Sequence, residues 1–334
     1  MSAAVRIAVL GTGRIGAMHA ELLAHRVEGA RLAAVYDAEP ERARSVAAEL
    51  GVDAAASAEE LYASPDVDAI AICSSTDVHV EEMVAAAGAG KAIFCEKPLS
   101  LDLDELDRGL EAVGRAGVLF QVGFNRRFDP AHQSVRDAVA AGTIGDVHVV
   151  RITSRDPAPP PAEYAGRSGG LFLDTTIHDF DMARYVTGSE VVEVFARGAT
   201  RLAPGSGELD TAVVTLVHDD GAFTVIDNSR RALYGYDQRV EAFGSLGMAA
   251  SENPLAHTGL TRTAAGTHAS TLPYFFLERY IPSYVREWEA FVQAFRAGLT
   301  SPVGAADGRA PLVIGLAAGL SHREGRPVRV DEIG

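Results

Sequence analysis

A glycine loop, Gly11-Thr12-Gly13-Arg14-Ile15-Gly16, lies directly between a β-branched run at residues 5–10 and a helically spaced run at residues 15–24, and nothing else in the chain narrows its possible folds so far. The first glycine permits a tight turn, the second lets backbone approach a pyrophosphate, and the third lets helix and strand pack closely. The helix N-terminus then offers its N–H groups and positive end to phosphates. Asp37 closes the following strand about 20 residues beyond Gly16, where a carboxylate accepts hydrogen bonds from the adenosine ribose hydroxyls and repels the extra phosphate of NADP. Strand, loop, helix and aspartate together imply an NAD site, with Arg14 and Arg42 as the nearby cations that bear on cofactor choice.

The same grammar continues downstream. Residues 31–36, 68–73, 92–95 and 118–123 read as strands, and 41–50, 80–87 and 102–115 as helices, with Gly51 and Gly88 as stops. Such alternation implies right-handed crossovers and a parallel sheet. After a helix at residues 128–141 the pattern changes to strands in series, at 146–154, 190–196, 211–218, 222–229, 238–243 and 248–252, which predicts an antiparallel or mixed sheet. A helix at 177–186 interrupts that series. A long amphipathic helix is expected from near Pro282 to Gly298, and a last one over about 310–322, started late by Pro311. Residues 156–167, rich in proline, read as an ordered loop bordering the site or as a mobile flap, and residues 255–272 as an irregular connection.

A chain of 334 residues with 47% apolar content exceeds the usual reach of one core, so two domains are expected, 1–124 and 125–334. The formal charge of −15 opposes a nucleic-acid partner, because phosphate backbones are bound by clustered lysine and arginine. No apolar stretch reaches the roughly 20 residues of a membrane-spanning helix, and the N-terminal run reads as a first strand rather than a signal peptide. Cys73 and Cys95 supply neither a disulfide framework nor metal-ligand spacing; they read as small buried thiols in a protein of the reducing cytoplasm.

Three further positions carry chemistry. Ser74, Ser75, Thr76 and His79 follow the strand ending at Cys73, at the sheet edge where α/β ligands sit; the hydroxyls could contact a nicotinamide ribose, or Ser75 or Thr76 could cap the next helix. For His79 a structural imidazole is the readier reading. Glu96 and Lys97 follow the strand 92–95, and Pro98 holds Lys97 away from helical geometry at the same edge. Asp174 and His178 stand four apart across a helix start, with Thr175 or Thr176 as N-cap, so that an imidazole base and its orienting carboxylate can face one pocket. A metal is not expected, since no second histidine or cysteine lies at ligand spacing. A lysine and a histidine behind a dinucleotide loop suit removal of a hydride and a proton from an alcohol.

The glycine loop, Glu96-Lys97-Pro98, Ser154-Arg155-Asp156-Pro157, the block from Gly169 to Asp181, Tyr234-Gly235-Tyr236-Asp237-Gln238-Arg239 and the segment 276–284 resemble the Gfo/Idh/MocA oxidoreductases over nearly the whole chain, most closely their inositol-oxidising branch. That resemblance implies an α/β protein: an N-terminal Rossmann domain followed by an α+β domain on a large open-faced mixed or antiparallel sheet, assembled as a homotetramer. It implies NAD-dependent oxidation of a ring hydroxyl of myo-inositol to the 2-keto product. Lys97 and Asp174 would hold substrate hydroxyls, His178 would remove the hydroxyl proton, and Arg127, Asp156, Tyr236 and Tyr284 would line the polyol pocket. For Tyr236 and Tyr284 a packing role weighs equally, and Arg127 could equally be an interdomain salt-bridge partner. Another cyclitol or an aldopyranose is the neighbouring substrate reading, and a non-catalytic NAD-binding regulator is the reading from another class.

Overall fold

The computed structural model describes residues 3–161, 168–202 and 208–334; the end of the proline-rich segment, 162–167, lies outside the described residues. The chain divides into two units, Met1–Asn125 with Tyr284–Leu312, and Arg126–Ser283 with Val313–Gly334. Sequence reasoning placed everything after residue 124 in one domain, whereas residues 284–312 return to the first unit.

Six strands build the sheet of the first unit: β1 (Val5–Leu10), β2 (Ala30–Tyr36), β3 (Asp53–Ala54), β4 (Ala69–Ile72), β5 (Ala92–Glu96) and β6 (Phe120–Gly123). Their order is β3-β2-β1-β4-β5-β6, with every pair parallel. Helices cover such a sheet on both faces, so its central strands read as continuous apolar runs; every residue of β4 and β5 is buried. The strand order reverses between β1 and β4, and that switch point opens the crevice at their carboxyl ends. β3 and the helix Ala58–Ala63 escaped the sequence reading because both are short, although Ser57 caps the helix by accepting from the Glu60 amide at 3.3 Å.

The second unit is built on a mixed sheet of seven strands, β7 (Val147–Arg155), β8 (Val191–Ala199), β9 (Thr211–His218), β10 (Phe223–Ser229), β11 (Asp237–Gly244), β12 (Gly247–Ser251) and, beyond an exposed hairpin, the short Val328–Arg329. Among the first six only β7 and β10 pair in parallel. One face packs on the helix Ile177–Thr187, with Val150, Ile152, Phe180, Val186, Val194, Leu216 and Ile226 in a common core. Val213, Phe223 and Phe243 stand exposed on the strands, the period-2 alternation of a sheet with one wet face.

Three expectations are corrected. Residues 255–272 contain an antiparallel hairpin, β13 (Leu260–Thr263) and β14 (Gly266–Ala269), joined at Ala264-Ala265, a turn without the Asn-Gly or Asp-Gly signal that announces such loops. The helix expected from Pro282 begins at Phe276, and the last helix begins at Ala305, so Pro282 and Pro311 lie inside their helices. An interior proline costs about 3 kcal/mol. Burial of Leu312, Val313 and Ile314 just after Pro311 offsets that, at roughly 1.5–3 kcal/mol per side chain.

Candidate active site

At the switch point of the first unit each fingerprint glycine answers a different steric demand. A Cβ on Gly16 would sit 1.8 Å from the Gly11 carbonyl oxygen, and one on Gly11, whose φ is +83°, would sit 2.5 Å from the Ser74 amide. Gly13 is the opposite case: a Cβ there would meet nothing within 4 Å. It is the N-cap of the helix Arg14–His25, whose first turn has no acidic residue and no side-chain cap, so its amides remain available to a phosphate. Open space beside a helix N-terminus is the cradle that a dinucleotide pyrophosphate requires. Asp37 is held by the Thr12 amide at 2.7 Å, the Thr12 hydroxyl at 3.0 Å and the Glu39 amide at 2.8 Å, with Arg42 at 3.3 Å. Burial works to raise its carboxyl, but the amides of Glu39 and Thr12 outweigh it and leave it below the usual range.

Around the same edge, Ser75 is the N-cap of the helix Thr76–Gly88 but makes no side-chain cap bond. Ser74 instead donates to Glu82 at 2.5 Å, and burial pushes that carboxyl up to about 7. His79 is buried, with Nδ1 at 2.9 Å from the Pro98 carbonyl and Nε2 at 3.1 Å from that of Ser74, and burial lowers its pKa. Both nitrogens face backbone, the arrangement of a structural imidazole. Lys97 is half-buried at the end of β5. The preceding Glu96 accepts the Lys97 amide at 3.2 Å and lies 2.8 Å from His19 Nε2.

The second unit gathers a dense polar cluster. Asp174 ends the short helix Gly170–Asp174 and accepts from Arg230 at 3.1 Å; His178 follows, half-buried, in the first turn of Ile177–Thr187. Arg126 donates to Asp179 at 2.7 Å and to the Tyr236 hydroxyl at 3.4 Å, and Asn228 donates to the other Asp179 oxygen at 2.8 Å. Asp156 stands in the field of these groups. Burial lifts its carboxyl to about 6, Arg126 and Arg230 oppose that rise, and Asp174 and Asp179 add to it. Alternating carboxylates and guanidiniums suit hydroxyl groups, which donate and accept at once.

The structure also redistributes roles among the residues singled out from sequence. Arg127 forms a two-pronged ion pair with Asp181, at 2.9 and 2.6 Å, and both residues belong to the second unit, so its salt bridge lies within a unit and not between domains as the sequence alternative had it. Its neighbour Arg126, which sequence reasoning passed over, joins the cluster with Asp156 and Tyr236, because the 3-10 turn Asn125–Phe128 sends the two arginines to different partners. Thr176 occupies the N-cap position, but its hydroxyl donates to Asn228 at 2.6 Å instead of capping. Tyr236 is buried edge-to-face on Tyr280, and Tyr284 is buried edge-to-face on His19 at 5.4 Å. Arg230 was also missed; nothing in its local sequence separates it from Arg231.

Residues 5–124 match the family model described as an oxidoreductase family with an NAD-binding Rossmann fold, and residues 132–250 match the GFO/IDH/MocA C-terminal domain. The chain is 48% identical over 333 residues to myo-inositol 2-dehydrogenase of Thermotoga maritima, covering 98% of this chain and 99% of the relative. It is 42% identical over 329 residues to inositol 2-dehydrogenase of Rhizobium meliloti, with 98% and 99% covered. Its fold superposes, at a TM-score of 0.92 and 29% identity over 98% of this chain and 99% of the other, on a scyllo-inositol dehydrogenase from Lactobacillus casei solved with NAD(H) and scyllo-inositol.

Proposed function

We propose that this chain, which belongs to the Gfo/Idh/MocA family of oxidoreductases and uses NAD, oxidises myo-inositol to 2-keto-myo-inositol (scyllo-inosose). The observation that carries the substrate is full-length similarity to inositol dehydrogenases, joined to a second unit whose Asp156, Asp174, Arg126 and Arg230 offer donors and acceptors in alternation. The open cradle at Gly13 and the anchored carboxylate of Asp37 fit the cofactor, with the phosphates at the N-terminus of Arg14–His25 and the ribose edge at Asp37. Bound there, NAD accepts the hydride that leaves the oxidised carbon.

The chain's own groups then manage hydroxyls and one proton. Lys97 and Asp174 hold substrate hydroxyls, and His178 takes the proton of the hydroxyl being oxidised. Arg230 keeps the Asp174 carboxylate from rotating, so its acceptor direction is fixed before substrate arrives. Asp156 and Tyr236 fall in the same cluster and supply further polyol contacts. Homotetrameric assembly rests on the family resemblance, and residence in a reducing cytoplasm on the buried free thiols of Cys73 and Cys95. Among the described residues no helix is long and apolar enough to cross a membrane.

NADH formation with a panel of myo-, scyllo- and other inositols and aldopyranoses, run with NAD and NADP, tests the reading; myo-inositol with NAD should give the highest kcat/KM. Lys97→Ala and His178→Ala should each lower kcat by about 100-fold or more while NAD binding by calorimetry stays near wild type. No turnover of any cyclitol, or wild-type kcat in both variants, would remove it.

A further inference from the structure

Glu96 lies at the centre of a buried polar chain in the first unit that the chemistry above does not use. Trp288, fully buried, donates its indole N–H to His19 Nδ1 at 2.8 Å. Indole nitrogen is a donor only, so His19 Nδ1 must accept and its proton must sit on Nε2, which lies 2.8 Å from Glu96 Oε1. The other Glu96 oxygen accepts the backbone N–H of Lys97 at 3.2 Å. Donors therefore converge on one carboxylate: indole acts through imidazole on one Glu96 oxygen, and the amide that begins the lysine donates to the other.

The surroundings hold this chain in place. Gly123 faces Glu96 across the β5–β6 pair, and a Cβ there would lie 3.0 Å from the Glu96 carboxyl carbon and 3.1 Å from both oxygens. The slot for that carboxylate exists because Gly123 has no side chain. Phe94, Tyr284 and Trp288 box the His19 ring edge-to-face at 5.2, 5.4 and 5.6 Å, which excludes water and strengthens each hydrogen bond. His19 lies on the buried stripe of its helix with Leu22 and Leu23, where an apolar residue would pack with no polar cost. A buried His, Glu and Trp placed in register with one functional lysine call for a reason beyond packing.

We infer that Trp288 and His19 are positioning residues for Lys97, acting through Glu96: the indole sets the histidine tautomer, the histidine sets the carboxylate, and the carboxylate anchors the Lys97 amide. The inference rests on the role proposed above for Lys97.

Two measurements separate it from that role. Hydrogen exchange at the Lys97 amide needs no substrate: it should be protected in the wild type and should accelerate by about 10-fold or more in Trp288→Phe and His19→Ala, while β4 amides keep their protection. In turnover both variants should lose about 10-fold in kcat with KM for NAD changed less than about 2-fold, and the primary deuterium isotope effect on kcat should rise as the chemical step becomes limiting. His19→Gln, whose amide N–H can still reach Glu96, should recover part of the loss, and Gly123→Ala, which crowds the same carboxylate, should reproduce it. Unchanged exchange at Lys97 in folded Trp288→Phe overturns the inference whatever the substrate. So does an unmoved isotope effect, or a kcat that falls only with the folded fraction. Should His19→Ala fail to fold, Trp288→Phe decides, since it keeps an aromatic ring. A wild type without cyclitol turnover overturns the proposed substrate and leaves the exchange result standing.

Discussion

Glu287 carries a cost that the fold accepts: it is fully buried, and neither carboxyl oxygen has a hydrogen-bond partner. Burial first, and the charge of Glu96 second, push its pKa well above the ordinary range, so it folds protonated. Stability is then fullest below the unfolded carboxyl pKa of about 4.3 and declines as pH rises toward the folded value, because only the unfolded chain gains by ionising. Glu287→Gln, a neutral group of the same shape, should match the wild type near pH 5 and exceed it by roughly 1–3 kcal/mol near pH 8. Thermal unfolding at both pH values checks this; a constant gap would show that ionisation is not the cause. At this scale the sequence was partly legible. Lys97 and Asp174 stand in motifs, but the choice between Arg126 and Arg127 turned on a 3-10 turn, and His19 pairs with groups 77 and 269 residues away. Local periodicity carries no information about such partners.

Whole elements were easier to read, since strand and helix periods are properties of neighbouring residues. The glycine loop was legible because its three glycines have separate steric reasons, and those reasons yield a split prediction. Gly16→Ala must push against the Gly11 carbonyl and should abolish cofactor binding together with much of the stability. Gly13→Ala meets no protein atom, so its Tm should stay at the wild-type value while NAD affinity falls about 10-fold, or about 1.4 kcal/mol. Calorimetric titration alongside thermal unfolding distinguishes the two, and a Gly13→Ala protein with wild-type affinity would place the pyrophosphate elsewhere. Where element reading failed, tertiary packing had overridden local preference: Pro282 and Pro311 sit inside helices whose neighbouring side chains are buried. The hairpin of β13 and β14 failed for the opposite reason, being exposed throughout, with no apolar alternation to announce it.

At the scale of the molecule, the division into units was the least legible feature, because residues 284–312 rejoin a body that the chain left at Asn125. Those residues supply core: Trp288 packs on Phe94 with ring centroids 4.3 Å apart, and Phe291 stands edge-to-face to both. Losing an aromatic of that size costs about 3–5 kcal/mol. A fragment of residues 1–124 should therefore show no cooperative unfolding transition by calorimetry, whereas 1–125 joined to 284–312 by a flexible linker should regain one; a cooperative 1–124 fragment would contradict this. Trp288 is also the chain's single tryptophan. All indole emission from this protein thus originates at one dry position bonded to His19, and reduced nicotinamide absorbs at the wavelengths where indole emits. The molecule carries its own optical gauge: quenching of its ultraviolet fluorescence should follow NADH arrival without any attached dye.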